Sequence, residues 1–546
     1  MSTALEAASL IMIPNSYSDG LLASVKPNDG TGDFTFTRGS DLAATRVNAD
    51  GYIEKGYENL LLQSNQFDTT WTNYLSTETS GQIGYDGNSN AWLLIKSGAS
   101  GQIRQNVTSS GVATFSVYAK ANASDYIQIV CGSLYQFFNL SLGTLGAGIG
   151  IGASIEAIGT NGWYRCSMSF NSSITSVRIY PSENNTVSGT SGNILIQDAM
   201  LNQGLVALPY VESGATKGKG GVLENTPRID FTSGTPSLLL EPSRTNSVPL
   251  SEYYEGTGYL LETSATLDST LYQSPEGVNN AYKLNLPSNL SRITHAVQYN
   301  GVHTFSVWMK ADTNGTITLR CATGNPAVSE QKNVTTEWQK FSITATDGNY
   351  WQVVRTSGDT LSSAYIYGHQ IESGSYATSY IPTYGVSQTR AGEVCGDAGT
   401  SATFNSNEGV LYAEIAALDP SGTYRLISLS GGNDANRIFI GLNTATGYLY
   451  YYVIVGGAVQ ANFTTSIYPS EFTKVAVKYK QNDFAFWING VEVSSDSSGT
   501  TFPANTLNVL QFDSASPTVP FHGKTKQVLY FPTALSDADL TTLTTL

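Results

Sequence analysis

The segment Thr114-Phe115-Ser116-Val117-Tyr118-Ala119-Lys120-Ala121 returns as Thr304-Phe305-Ser306-Val307-Trp308-Met309-Lys310-Ala311, 190 residues later. A repeat of that length is a whole domain rather than one unit of a solenoid. Asn90-Ala91-Trp92 and Asn280-Ala281-Tyr282 keep the same offset, as do Cys131 and Cys321. Further on the offset shrinks, to 175 for Trp163 and Trp338 and to 170 for Gly204–Tyr210 and Gly374–Tyr380. Blocks in fixed order with spacers of changing length are what loop insertions into a common fold produce.

Composition says what fold is repeated. Aromatic residues are 11% and charged residues only 13% of the 546, with 53 Gly. Short strands joined by polar turns have this make-up; helical bundles and disordered tails do not. The net charge of −15 argues against nucleic-acid binding, which needs clustered Lys and Arg, and against docking to anionic lipid. Four cysteines are too few for a disulfide framework and are read as buried small hydrophobes, with a Cys131–Cys166 bridge as the alternative. No basic and apolar leader opens the sequence, and Ala7 to Pro14 is too short to span a bilayer.

Four regions follow. Residues 1–58 hold a strand at Ser9–Pro14, an alternating strand at Asp33–Arg38 and a hairpin turn at Asp50-Gly51. They are expected either to extend the next domain or to attach the chain to a larger assembly. Residues 59–213 are the first copy. Residues 214–394 are a Gly- and Lys-rich linker, Ser213 to Gly221, and the second copy. Residues 395–546 are a different sandwich, with strands such as Gly409–Ile415, Tyr424–Leu429, Gly447–Val455 and Phe484–Val493. Its end is the one helix candidate, with Ser536 as cap and Asp537 and Asp539 in the first turn. The fold expected is all-β: tandem antiparallel jelly rolls and a third, concanavalin A-like sandwich.

Period two puts Phe115, Val117 and Ala119, and likewise Phe305, Val307 and Met309, in the cores. It leaves Tyr118 and Trp308 on the opposite face, where an aromatic ring can stack on a sugar; covering by loops or a partner chain is the alternative. Tyr448, Tyr450 and Tyr452 share one face in the last domain, and Trp487 points away from Phe484 and Phe486. These six, Tyr118, Trp308, Tyr448, Tyr450, Tyr452 and Trp487, are the candidate carbohydrate-binding residues, against cross-strand packing or subunit contact.

The copies resemble family 4/9-type carbohydrate-binding jelly rolls through the Phe-Ser-Val-Tyr/Trp-x-Lys-Ala strand, the Gly162-Trp163-Tyr164-Arg165 or Glu337-Trp338-Gln339-Lys340 strand, and the closing strand Ile194–Ala199. The segment Tyr365–Thr383 resembles a motif of bacteriophage virion proteins, tail and head fibres among them, with His369 where Ala is common. Phe36-Thr37-Arg38-Gly39-Ser40 and Leu240-Glu241-Pro242-Ser243-Arg244-Thr245-Asn246 are similar to the same group. Phe486-Trp487-Ile488-Asn489-Gly490-Val491 and Ala534–Leu540 resemble laminin G and concanavalin A-like domains. The likeness implies a virion protein, a fibre or capsid decoration, made in the bacterial host cytoplasm and released by lysis. It would bind other virion proteins through residues 1–58 and would be a homo-oligomer, trimers being common there; no long heptad run supports one.

No His-Glu-x-x-His, Gly-x-Ser-x-Gly or phosphate-cradling loop occurs. His295 and His303 bracket a turn, but the first copy has Gln105 and Ala113 there, so a metal pair is not expected. Asp198 and Glu372 are the acidic residues nearest the closing strands, and neither is read as catalytic. No cofactor is expected; Ca²⁺ held by loop carboxylates suits both sandwich types, with no EF-hand-like loop to mark its ligands. The reading is a non-enzymatic virion protein that adheres to host-surface or mucus glycans. The rivals are a glycan-degrading depolymerase, a purely structural virion component and a bacterial adhesin.

Overall fold

Alternation of apolar and polar residues over five to eleven positions, broken by Gly, Asn and Asp turns, builds three β-sandwiches. The structure, a computed structural model, describes every residue except 1, 41, 419–424, 444 and 516–518. Tyr424 of the expected strand therefore lies outside the described residues.

The first sandwich packs two six-stranded sheets. In one, Val112–Ala121 lies between Trp163–Asn171 and Asn193–Gln203. Phe115, Val117 and Ala119 are fully buried in its core with Cys131, Cys166 and Met168. In the second sandwich Val302–Lys310 takes the same place, between Gln339–Thr346 and Ser363–Ser373, with Phe305, Val307 and Met309 in the core. The two copies also open alike. Asn59 bonds both arms of its closing strand, donating to the Ala199 and Val211 carbonyls and accepting from Leu201 N. Asn246 does the same with His369, Ile381 and Ile371. The copies touch directly: Val112 N donates to the Tyr384 carbonyl at 2.7 Å, and Val112 and Leu205 enter the second core. All four cysteines are free and buried, so Cys131 and Cys166 form no bridge.

The third sandwich pairs an eight-stranded and a five-stranded sheet. Its membership corrects the expected division of the chain. Leu10–Met12 and Ser237–Leu240 both pair with one edge of Gly523–Phe531. Leu10, Met12, Leu22, Phe34, Phe36, Ile229, Leu238 and Leu240 are buried in this core. Residues 1–58 thus pack largely with this third sandwich rather than standing apart, and the linker is held in place: Gly218–Gly220 pairs with Tyr57–Asn59. The physical reason is apolar area. These short strands expose too much of it to stand alone and gain by completing a sheet that lacks an edge. The terminal helix Asp537–Thr544 forms as expected, with the Ser536 side chain accepting from Asp539 N.

Two buried ionic clusters join the parts. Arg228, fully buried, pairs with Glu393 and, at 2.8 Å, with Glu241; Arg38 reaches Glu393 at 3.2 Å and Arg390 reaches Glu241 at 3.0 Å. Lys55 from the hairpin Thr45–Lys55 lies 3.1 Å from Glu252 and 2.8 Å from Glu276 of the second jelly roll. Burial opposes each charge, and the opposed partners offset that cost.

Candidate functional site

The five-stranded sheet of the third sandwich turns one face inward and one outward. Along Leu449–Val455, Tyr451 and Val453 enter the core while Tyr450, Tyr452 and Ile454 point out. On the neighbouring strand Arg437–Leu442, Phe439 stands opposite Tyr452 and Gly441 opposite Tyr450. The register makes an aromatic cluster. Phe439 and Tyr452 stack at 5.4 Å and 16°, and Tyr450 meets both edge-on, at 5.5 and 5.8 Å. Gly441 is needed here, because a Cβ would sit 2.6 Å from the Tyr450 ring.

These rings wall a groove of about 320 Å³ that also takes in Leu426, Asp434, Arg437, Ile454, Ser514 and Val519. The Arg437 guanidinium lies 5.0 Å from the Phe439 centroid and pairs with Asp434 at 2.5 Å. Phe439 and Tyr450 are buried, and the half-buried Tyr452 is the ring that this cluster presents to the C–H face of a sugar, with a guanidinium–carboxylate pair beside it for hydroxyls.

The structure brings only part of the expected set together. Tyr450 and Tyr452 share the groove. Tyr448 precedes their strand, and its backbone N–H donates to Thr446 Oγ1 at 3.2 Å. Trp487 does face away from Phe484 and Phe486, but it is 5% exposed under Ala8, Ile11 and Leu540. The terminal helix and the first residues cover that face, and the sequence around Trp487 carries no sign of them. Tyr118 is also buried: Tyr85 stacks on it at 4.3 Å and 18°, Tyr210 meets it edge-on, and the Arg165 guanidinium lies over it. Trp308 is half-buried and lines a cleft of about 260 Å³ between the second jelly roll, the hairpin around Ile53, and the third sandwich. Neither Tyr118 nor Trp487 offers an open ring. Phe439, Asp434 and Arg437 escaped sequence reasoning; the Phe439–Gly441 alternation beside a tyrosine-rich strand was their only signal.

Other titratable groups sit in closed places. Burial pushes the Asp198 carboxyl up to about 6, while Tyr85 donates to it at 2.7 Å. Burial lowers His295 to about 4 and holds His369 well below its ordinary value. Among the described residues no three His, Cys, Asp or Glu side chains gather as metal ligands would. No described helix is long and apolar enough to cross a membrane.

Residues 400–541 match the Concanavalin A-like lectin/glucanases superfamily. The last domain is a sandwich of that type. No curated protein sequence matches the chain. Among solved structures, it is similar to the CBM40 of the Ruminococcus gnavus IT-sialidase bound to α2,3-sialyllactose, at 16% identity over 26% of this chain and 84% of that one, TM-score 0.23. It is also similar to domain 4 of AbnA, a GH43 extracellular arabinanase from Geobacillus stearothermophilus in complex with arabinotriose, at 15% over 28% and 73%, TM-score 0.23. The CBM22-1–CBM22-2 tandem domain of Paenibacillus barcinonensis Xyn10C matches at 12% over 61% and 98%, TM-score 0.17.

Proposed function

We propose that this chain is a non-enzymatic glycan-binding protein of a phage particle, a fibre or capsid decoration, that adheres to host-surface or mucus glycans. The observation that carries the binding role is the groove of Phe439, Tyr450 and Tyr452 beside the Arg437–Asp434 pair. One such groove binds weakly, and many copies on a particle raise the avidity. The virion setting is supported by the likeness of Phe36–Ser40, Leu240–Asn246 and Tyr365–Thr383 to virion proteins. The absence of catalysis is supported by the carboxylates. Glu252 and Glu276 are held on buried Lys55, and the phenols of Tyr367 and Tyr380 also donate to Glu252 at 3.1 Å each. Homo-oligomerisation belongs to this proposal. So does the lack of a cofactor, with a loop Ca²⁺ as the one addition it admits.

The test is a glycan array with the full chain, Tyr452→Ala and Gly441→Ala. Each variant should lose roughly tenfold or more in affinity, about 1.4 kcal/mol, with little change in melting temperature for the half-buried Tyr452. Array hits that survive in both variants would sink the groove. Release of reducing sugar from host capsule would instead favour the depolymerase. Mass spectrometry of purified particles tests the virion assignment.

A further inference from the structure

The outer face of the second jelly roll is only half covered. Around Trp308, Ile53 of the N-terminal hairpin packs with Ala281, Tyr367 and Tyr380. Two residues along the same strands the face is open, and the cross-strand register sets four side chains in a row. Lys283 stands opposite Tyr365, and Tyr365 opposite Lys310. Met309 pairs with Gln339, which brings Trp338 beside Lys310. The row therefore alternates Lys, Tyr, Lys and Trp across four adjacent strands.

The ammonium of Lys283 lies 5.0 Å from the Tyr365 centroid. That of Lys310 lies 5.4 Å from Tyr365 and 5.3 Å from Trp338. Asp312 accepts from Lys283 at 2.8 Å and from the Tyr365 phenol at 2.9 Å. Lys310 forms no ion pair within 4.0 Å among the described residues, although its charge helps to hold the Asp312 carboxyl low, and all four members of the row are partly exposed. Aromatic faces hold the cations in place, so part of the ordering cost of binding is already met.

The geometry points to a binding site for an acidic saccharide. Its carboxylate or sulfate would pair with Lys310, and its ring would lie along Tyr365 and Trp338. Lys310 is what favours an acidic ligand: Asp312 is ion-paired with Lys283, and Asp268 also acts on Lys283, whereas no carboxylate among the described residues is ion-paired with Lys310. The first copy lacks the site. The equivalent register reads Leu93, Leu195, Lys120 and Trp163, and Trp163 is buried there. This site is separate from the groove on the third sandwich and does not rest on it.

The experiment is fluorine NMR of the full chain labelled with 5-fluorotryptophan, with the Trp338 signal assigned through Trp338→Phe. A hyaluronan tetrasaccharide should shift that signal at millimolar concentration. Chitotetraose, its neutral counterpart, should need at least tenfold more. Lys310→Met should remove the preference with an unchanged melting temperature, and Tyr452→Ala should leave it intact. The proposal is overturned if hyaluronan leaves the signal in place, if both sugars act alike, or if Lys310→Met binds as the parent does. A polyglutamate peptide that shifts the signal as strongly as hyaluronan would also overturn it, in favour of an acidic protein partner.

Discussion

Asp198 and Gly368 occupy the same place in the two jelly rolls, each at a bulge opposite the repeated strand, with φ of 50° and 66°. Glycine adopts this left-handed backbone freely, whereas an aspartate adopts it at a cost. The first copy gains something in return: the Asp198 carboxylate accepts from Tyr85 at 2.7 Å, and Asn65 Oδ1 accepts from its backbone N–H at 3.2 Å.

Asp198 makes the stability of the first jelly roll pH-dependent. Its carboxyl rises from 3.8 to about 6 on folding, chiefly through burial. A raised acid contributes stability that is full below its unfolded value and is lost as pH rises through its folded value. The contribution is worth at most roughly 3 kcal/mol. The stability difference between the parent and Asp198→Asn, measured by denaturant titration, should therefore change between pH 4 and 6 and be flat above pH 7. A difference that is constant with pH would refute this.

The second jelly roll should respond in the opposite sense. His295 falls from 6.5 to about 4, and His369 is also held well below its ordinary value, because both rings are buried. A lowered base contributes stability above its unfolded value and loses it as pH falls toward the folded one. Amide protection factors in Ser363–Ser373, corrected for the intrinsic pH dependence of exchange, should fall at pH 4.5 relative to pH 7, more than in the equivalent Asn193–Gln203. Neither His369 ring nitrogen has a hydrogen-bond partner among the described residues. His369→Leu should reduce the acid sensitivity to the part due to His295 and add about 1 kcal/mol at neutral pH.

How much of this was legible in the sequence depends on how local each feature is. The alternation within Thr114–Ala121 fixed the jelly-roll strands, because one face of a strand is set by its own residues. Tyr450 and Tyr452 were legible for the same reason. Trp487 was misread because its cover comes from Leu540 and Ala8, at the two far ends of the chain. The Lys283, Tyr365, Lys310 and Trp338 row was invisible because its members meet only through register across four strands.

Arg228 should be the most sensitive residue at the junction. It is fully buried between Glu241 and Glu393, and both carboxyls are held below their ordinary value against the effect of burial by the surrounding arginines. Arg228→Ala leaves buried charge uncompensated, at a cost of about 3–5 kcal/mol. Thermal unfolding should show this loss. Lys332→Ala, which breaks the surface pair with Glu330 at 2.6 Å, should cost under roughly 1 kcal/mol. Equal effects would mean the junction is not held by its ion pairs.

The interior strand Gly523–Phe531 has a consequence for how the chain must be made. It receives Leu10–Met12 and Ser237–Leu240, so strands made more than 500 and about 280 residues earlier must wait for it. Until then Leu10, Phe34 and Phe36 have no core to enter. The two jelly rolls can mature during synthesis, but the third sandwich closes only once Gly523–Phe531 has emerged. A fragment cut at residue 395 would then be missing Leu10–Met12 and Ser237–Leu240 from its sheet, so the last domain cannot be studied by trimming the chain at that apparent boundary.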